Sequence, residues 1–270
     1  MRERDRTQRR TALVTGASRG IGKAIAAALA TDGWEVTGTC RNPRRLSAED
    51  RVPGVRYLPL DFSRKASVEA LARRARTVDL LVNNAGAGLI GPVEEAPMDR
   101  VKALFESNYF GALRLAQAVL PGMRIRGSGT IIFIGSMASE FPRPFTAFYA
   151  GSKAALRALA EALRMEVGAR GVKVAMIAPF FIGTTFPQEN RTRSGSAYAD
   201  AVRRVKQERD RMILAGPSPE VVAEAVRDIL ARRRPSAFIA VGRNAGLLAF
   251  LIRHLPARLV ERLSARRFKL

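Results

Sequence analysis

The chain has 270 residues, 47% hydrophobic and 26% charged, the composition of one folded α/β-sized domain and not of a disordered chain. A single cysteine, Cys40, excludes an intrachain disulfide, and a single histidine, His254, excludes a histidine-based triad and a His/Cys metal cluster, so no metal is expected. The formal charge of +22 comes from seven lysines and 39 arginines spread along the chain; without a helix-turn-helix, zinc or aromatic RNA-binding pattern it reads as solvated faces, and no nucleic acid is expected.

Residues 1–10, MRERDRTQRR, form a basic tail without the apolar core of a signal peptide. No window reaches the ~18 consecutive apolar residues of a membrane span. A cytoplasmic location is therefore expected. Residues 11–16 (TALVTG) predict a strand that runs into Gly16-Ala-Ser-Arg-Gly20-Ile-Gly22 and an Ala-rich helix over 23–31. Strand, glycine loop and helix in that order suit a phosphate: the helix start offers free N–H groups and a positive dipole end, and glycines allow close approach. The spacing is Gly-x-x-x-Gly-x-Gly, not the commoner dinucleotide fingerprint, and an unliganded glycine turn is the alternative.

A second strand is expected over 34–40. An NAD-binding fold would end it with an acid for the ribose hydroxyls; here Cys40 is followed by Arg41, and Arg19 lies in the glycine loop. Two guanidiniums suit a 2′-phosphate, which points to NADP(H), unless both merely face solvent. A third strand over 55–60 ends at Asp61-Phe62, where Asp61 can hold an adenine edge. A helix over 66–76 and a strand over 78–82 lead to Asn83-Asn84-Ala85-Gly86. A helix over 99–120 carries Asn108, either a satisfied buried amide or a functional one. Strands over 130–134, 172–177 and 237–241 alternate with helices over 150–168 and 219–233. The alternation predicts a Rossmann-like, doubly wound parallel sheet in a single domain over 11–242.

The stretch GSMASEFPRPFTAFYAGSK between the 130–134 strand and Lys153 gathers the chemistry. Tyr149 and Lys153 stand four apart, one helical turn on the same face. A neighbouring ammonium favours the phenolate, which would make Tyr149 a general acid/base near neutrality. Ser136, in the preceding loop, can hydrogen-bond the same substrate oxygen.

In order, TGASRGIG at 15–22, Asp61, NNAG at 83–86, Asn108, Ser136 and YAGSK at 149–153 resemble the short-chain dehydrogenase/reductase family over about residues 11–190. The resemblance implies an NADP(H)-dependent oxidoreductase that interconverts a lipophilic ketone or aldehyde and its alcohol. Tyr149 would exchange the proton and Ser136 would polarise the carbonyl. Lys153 would lower the Tyr149 pKa and hold the nicotinamide ribose, and Asn108 would position a water linked to Lys153. Cofactor contacts are implied at Gly16, Ser18, Arg19, Gly20, Ile21, Gly22, Arg41, Asp61, Phe62, Asn83, Ala85, Gly86, Tyr149, Lys153, Pro179 and Thr184. One position departs from the family: Phe180 follows Pro179 where glycine is usual, which would shift the nicotinamide or narrow the pocket.

Residues after the strands' carboxyl ends should line a substrate crevice. Met137, Phe141, Phe148, Phe180, Phe181 and Phe186 are the principal candidates, with Leu89, Ile90 and Phe145 beside them. Residues 183–217 resemble the family's mobile lid, with a helix over 197–212. The amphipathic extension 243–270 resembles that of the steroid- and retinol-dehydrogenase-like branch. It would pack on protein, cover the substrate entrance or touch a membrane peripherally. The family also implies a homodimer or homotetramer built on the helices at 99–120 and 150–168. A catalytically silent nucleotide-binding scaffold and an anionic-surface binder are the competing readings.

Overall fold

The strands run β1 (Thr11–Val14), β2 (Glu35–Cys40), β3 (Val55–Pro59), β4 (Leu80–Asn83), β5 (Gly88–Ile90), β6 (Gly129–Ile134), β7 (Val172–Pro179), β8 (Gln188–Asn190) and β9 (Phe238–Val241). Between and after them lie α1 (Gly20–Thr31), α2 (Lys65–Arg74), α3 (Met98–Phe105), α4 (Gly111–Arg126), α5 (Ala147–Gly168), α6 (Ala199–Leu214), α7 (Glu220–Ala231), α8 (Ala245–His254) and α9 (Ala257–Phe268). This computed structural model describes residues 9–268; the first eight residues of the expected basic tail and residues 269–270 lie outside the described part.

Seven strands form one all-parallel sheet in the order β3-β2-β1-β4-β6-β7-β9. Successive side chains of a strand point to opposite faces, so each buried strand feeds two cores. Leu13, Leu81, Ile131, Phe133, Val174 and Met176 pack with Val68 and Leu71 of α2, Leu115 and Val119 of α4, and Leu156 and Leu163 of α5. Their neighbours Ala12, Val14, Leu80, Val82, Ile132, Ala175 and Ile177 pack with Ile25 and Leu29 of α1 and Val222, Val226 and Ile229 of α7. The sequence order of strands reverses beside β1, where β2 and β4 flank it on opposite sides. That reversal opens a crevice at the carboxyl ends of the strands, where open α/β sheets take ligands.

Three features depart from the sequence expectation. The helix expected over 99–120 is α3, a π-helical turn (Glu106–Phe110) and α4, which continues past Pro121 to Arg126. Gly127, left-handed at φ 64°, caps it. Such wider turns recur at functional sites, and this one holds Asn108. Second, β5 and β8 form a small parallel sheet, which ties the segment 183–217 to the chain after β4. Three-residue strands carry too little periodicity to be seen in sequence. Third, Tyr149 lies in the first turn of α5, which starts at Ala147 instead of 150.

Arginine spends some of its charge on backbone. Arg126 donates to the Val78 carbonyl at 2.8 Å, and Arg164 donates to the carbonyls of Val174 and Pro235 at 2.7 and 2.6 Å. In the C-terminal extension, Ala249 of α8 is buried against Met137 and Ala178. Leu247 and Phe250 stay exposed on its other face. Among the described residues no helix is long and apolar enough to cross a membrane.

Phe133 is fully buried between β4 and β7. Phe133→Ala is expected to lower the unfolding free energy by about 3–5 kcal/mol in urea denaturation. Ile125→Ala, at a side chain 80% exposed, should stay within about 0.5 kcal/mol of the parent.

Candidate active site

The crevice is a cavity of about 870 Å³ that runs from the glycine loop to the start of α5. At its first end, β1 delivers Thr15 and Gly16. Thr15 Oγ1 accepts from the backbone N–H groups of Asn84 and Ala85 at 2.9 and 3.0 Å. The Asn84 amide donates to the carbonyls of Thr15 and Gly16 at 2.8 and 3.3 Å. The loop after β4 is thereby stapled to the loop after β1. Gly22 is obligatory in this arrangement: a Cβ there would stand 2.2 Å from the Gly16 carbonyl oxygen. Gly16 and Gly20 are left-handed, at φ 68° and 53°. Arg19 caps α1 without a side-chain hydrogen bond, and no acid occupies the first turn. The helix start thus keeps its N–H groups and its positive dipole end for an anion.

Gly16, Ser18, Arg19, Gly20, Ile21, Gly22, Arg41, Asp61, Phe62, Ala85, Gly86, Pro179 and Thr184 all line the cavity. Arg19 and Arg41 are exposed, and Cys40 stands between Thr39 and Arg41 on the same wall. Asp61 accepts from the Ser63 N–H and hydroxyl at 3.0 and 2.7 Å, which fixes its carboxylate. Asn83 is a correction. Its Nδ2 donates to the Ala112 carbonyl at 3.3 Å, away from the cavity, because alternation along β4 turns it toward α4. Its neighbour Asn84 faces the loop instead and was not singled out in the sequence.

At the other end, Ser136, Tyr149 and Lys153 line the same cavity. The Ser136 side chain caps the 3₁₀ turn Met137–Ser139, accepting from the Ala138 N–H at 3.1 Å, and it hydrogen-bonds Tyr149. Lys153 is 3% exposed; its Nζ donates to the Ile134 carbonyl at 3.1 Å and lies 6.0 Å from the Tyr149 ring centre. Burial drives its pKa down to about 8. Asn108, 1% exposed, accepts from the Ala87 N–H and donates to the Ala87 carbonyl, both at 2.9 Å, and donates to Ser152 Oγ at 3.0 Å. Ser152 Oγ in turn donates to the Tyr149 carbonyl at 2.8 Å. The amide therefore braces the β4 loop against α5. With both Nδ2 hydrogens given to protein atoms, it has no donor left for a water.

The electrostatics of Tyr149 differ from the sequence expectation. Burial pushes its phenol above the ordinary value of 10, and the opposing pulls come from the Ser136 hydrogen bond and then from Arg143 and Arg209. These two guanidiniums, both on the cavity wall, were not read from the sequence. Nothing separates Arg143 and Arg209 from the other arginines except the fold that brings them to the tyrosine.

Met137, Phe141, Phe180, Phe181 and Phe186 line the cavity, joined by Met212 and Ile213 of α6 and Leu248 of α8. Phe186 packs edge-on to Tyr149 at 6.0 Å between ring centres. Phe148 is a second correction: it packs on Leu89, Val101 and Leu104, because it projects from the face of α5 that turns toward α3. Leu89 and Ile90 are buried in β5, and Phe145 packs edge-on to Tyr198, so none of these lines the cavity. Phe180, where the family usually has glycine, donates its N–H to the Val241 carbonyl at 2.8 Å and packs near Met137 and Ala249. The left-handed backbone falls on the next residue, Phe181, at φ 45°.

The chain belongs to the short-chain dehydrogenase family, whose model matches residues 10–195. It is 32% identical over 268 residues to a dehydrogenase/reductase SDR family protein 7-like of Drosophila melanogaster, covering 94% of this chain and 79% of that one. A short-chain dehydrogenase of Streptomyces avermitilis superposes with a TM-score of 0.81 at 32% identity, over 97% of each chain. One from Sphingobium yanoikuyae, solved with NADPH, gives 0.70 at 26% identity, over 96% of this chain and 93% of the other.

The depressed pKa of Lys153 makes a stability prediction. Between the ordinary value near 10.5 and about 8, the unfolded chain holds a proton that the native lysine does not. Native stability is therefore reduced by the full amount below pH 8 and recovers as the pH rises toward 10.5. Relative to Lys153→Met, the parent should gain about 2–3 kcal/mol between pH 7 and 10, read by denaturant titration at each pH. A constant gap between the two proteins would refute the assignment.

Proposed function

We propose that this protein is an NADP(H)-dependent oxidoreductase that interconverts a ketone or aldehyde of apolar body and its alcohol. The observation that carries the reading is the convergence of Tyr149, Ser136 and Lys153 on one cavity whose far end is floored by Gly16, Gly20 and Gly22. The residues of that far end fit a dinucleotide. A Cβ at Gly22 would fill the loop, the start of α1 is uncapped by any acid, and Arg19 and Arg41 suit a 2′-phosphate. Lys153 and Thr184 would hold the nicotinamide half. Bound there, the nicotinamide supplies or accepts the hydride.

The protein's own part is placement and a proton. In reduction Tyr149 Oη gives its proton to the substrate oxygen, and in oxidation it takes one. Burial makes this phenol hold its proton more tightly, and the Ser136 hydrogen bond with the Arg143 and Arg209 charges pulls the other way, toward a proton that can be exchanged. Ser136 orients the oxygen and supplies a second hydrogen bond. Lys153, whose pKa burial lowers to about 8, lies 6.0 Å from the Tyr149 ring centre, where its charge would favour the phenolate. Asn108 holds α5 and the β4 loop at a fixed separation around this group.

Three further parts of the reading are proposed with it. The apolar lining and the helices α8 and α9 support a place near the steroid- and retinol-dehydrogenase-like branch. The exposed Phe110 and Met165 on the long helices support a homo-oligomer, and exposed Leu247, Phe250 and Leu251 on α8 support peripheral membrane contact.

A panel of carbonyls and alcohols followed by reduced-nicotinamide absorbance, with NADPH and NADH in parallel, tests the activity. Tyr149→Phe is expected to lower kcat by about 10²–10⁴-fold and to leave NADPH affinity, read by fluorescence titration, nearly unchanged. A variant with parental turnover would remove Tyr149 from the role. Arg41→Ala with Arg19→Ala should raise the KM for NADPH about 10–100-fold and spare NADH. Equal parental use of both cofactors would overturn the 2′-phosphate argument.

A further inference from the structure

We propose that the substrate carries an oxyanion, a carboxylate or a phosphate monoester, which Arg143 and Arg209 hold while Tyr149 serves the carbonyl. The inference rests on the oxidoreductase reading above and narrows its substrate class.

Arg143 stands in the loop between the Met137–Ser139 turn and α5. Its backbone is fixed by Thr146, itself 1% exposed: the Arg143 N–H donates to Thr146 Oγ1 at 3.2 Å, and that hydroxyl donates to the Arg143 carbonyl at 2.7 Å. The guanidinium lies over the Phe181 ring, 4.8 Å from its centre. Its Nη1 is buried and has no hydrogen-bond partner. Burial lowers its pKa to about 10, with the repulsion of Arg209 adding to the fall. Arg209 reaches the same wall from α6. It pairs with its neighbour Asp210, at 2.9 Å, whose side chain is half exposed and neutralises it weakly.

Among the described residues no carboxylate beside Arg143 and Arg209 lines the cavity. Among the described residues, Asp61 is the only acid on the wall, and it sits at the glycine-loop end bonded to Ser63. Lys153 adds a third cation beside Tyr149. A buried guanidinium nitrogen without a hydrogen-bond partner is costly, and a bound anion removes that cost. A dinucleotide's phosphates are matched by the loop and arginines of the opposite end, so the anion that fits here is a second one. The remaining lining, Met137, Phe141, Phe180, Phe186 and Leu248, is apolar. The ligand that satisfies both is an amphiphile: an oxo-fatty acid or an oxo-alkyl phosphate.

The test uses the NADPH-loaded enzyme. Binding of decanoate, decyl phosphate and decanol is measured by calorimetry, and turnover is measured on decanoates with an oxo group at C3, C4 or C5 against their methyl esters. At least one anion is expected to bind ten-fold or more tighter than decanol, and which one identifies the head group. Arg143→Met should erase that preference and lower the acid-to-ester ratio of kcat/KM by about 100-fold. Arg209→Gln should lower it in the same direction, and it carries the test if Arg143→Met fails to fold. Equal affinity of decanol and both anions for the parent would overturn the proposal. So would an equal loss on acid and ester with a shifted pH profile, since Arg143 would then act on Tyr149 and not on the substrate. Arginine-dependent anion binding without reduction of any carbonyl would leave this inference standing and sink the oxidoreductase reading; ester reduction with no preference for anions would do the reverse.

Discussion

The hydrogen bond from Lys153 Nζ to the Ile134 carbonyl fixes the geometry on which the site depends. It joins α5 to the end of β6 inside the protein, where Lys153 is 3% exposed. A lysine kept there must be solvated by something other than water, and a backbone carbonyl at the strand end is what this fold supplies. Once α5 is docked in that register, Tyr149 stands one turn earlier on the same face, beside Ser136 in the loop that follows β6. Asn108 closes the arrangement from the third side by bonding both Ala87 and Ser152.

The charge of the protein has two different meanings in two places. Over the surface, arginine is a compositional habit, and several guanidiniums do no more than tie backbone carbonyls across elements. In the cavity the same residue type becomes specific, because low polarisability magnifies every uncompensated charge. Arg19 and Arg41 stand at one end, with Asp61 the only acid of the wall among the described residues, and Arg143 and Arg209 stand at the other. That asymmetry between wall and surface is a stronger statement about ligands than the formal charge of +22.

The segment 183–217 and the C-terminal extension complete the enclosure. Pairing of β8 with β5 anchors this segment near the Tyr149 end of the cavity, and α6 brings Arg209, Met212 and Ile213 onto the wall. From the opposite side α8 contributes Leu248 and buries Ala249 against Met137. Two non-glycine residues of the cavity wall, Phe181 and Asn244, have left-handed backbone. Strain of this kind persists where surrounding contacts over-determine the chain, and here the contacts are those of the cavity wall.

The seven strands of the main sheet, their parallel arrangement and the glycine loop were legible in the sequence, because apolar runs alternating with helical segments and a glycine-rich βα turn leave local patterns. Tyr149 and Lys153 were legible for the same reason: four residues apart on a helix is a local relation. Asn83 and Phe148 were misplaced because which face of an element meets the cavity depends on what packs against the other face. The π turn at Glu106–Phe110, the β5–β8 pair and the left-handed Phe181 arise from contacts between distant segments and have no sequence period. Above all, only the tertiary structure brought Arg143 and Arg209 to Tyr149. Residue type is written in the chain, but an electrostatic field is a sum over positions in space, and folding alone sets those positions.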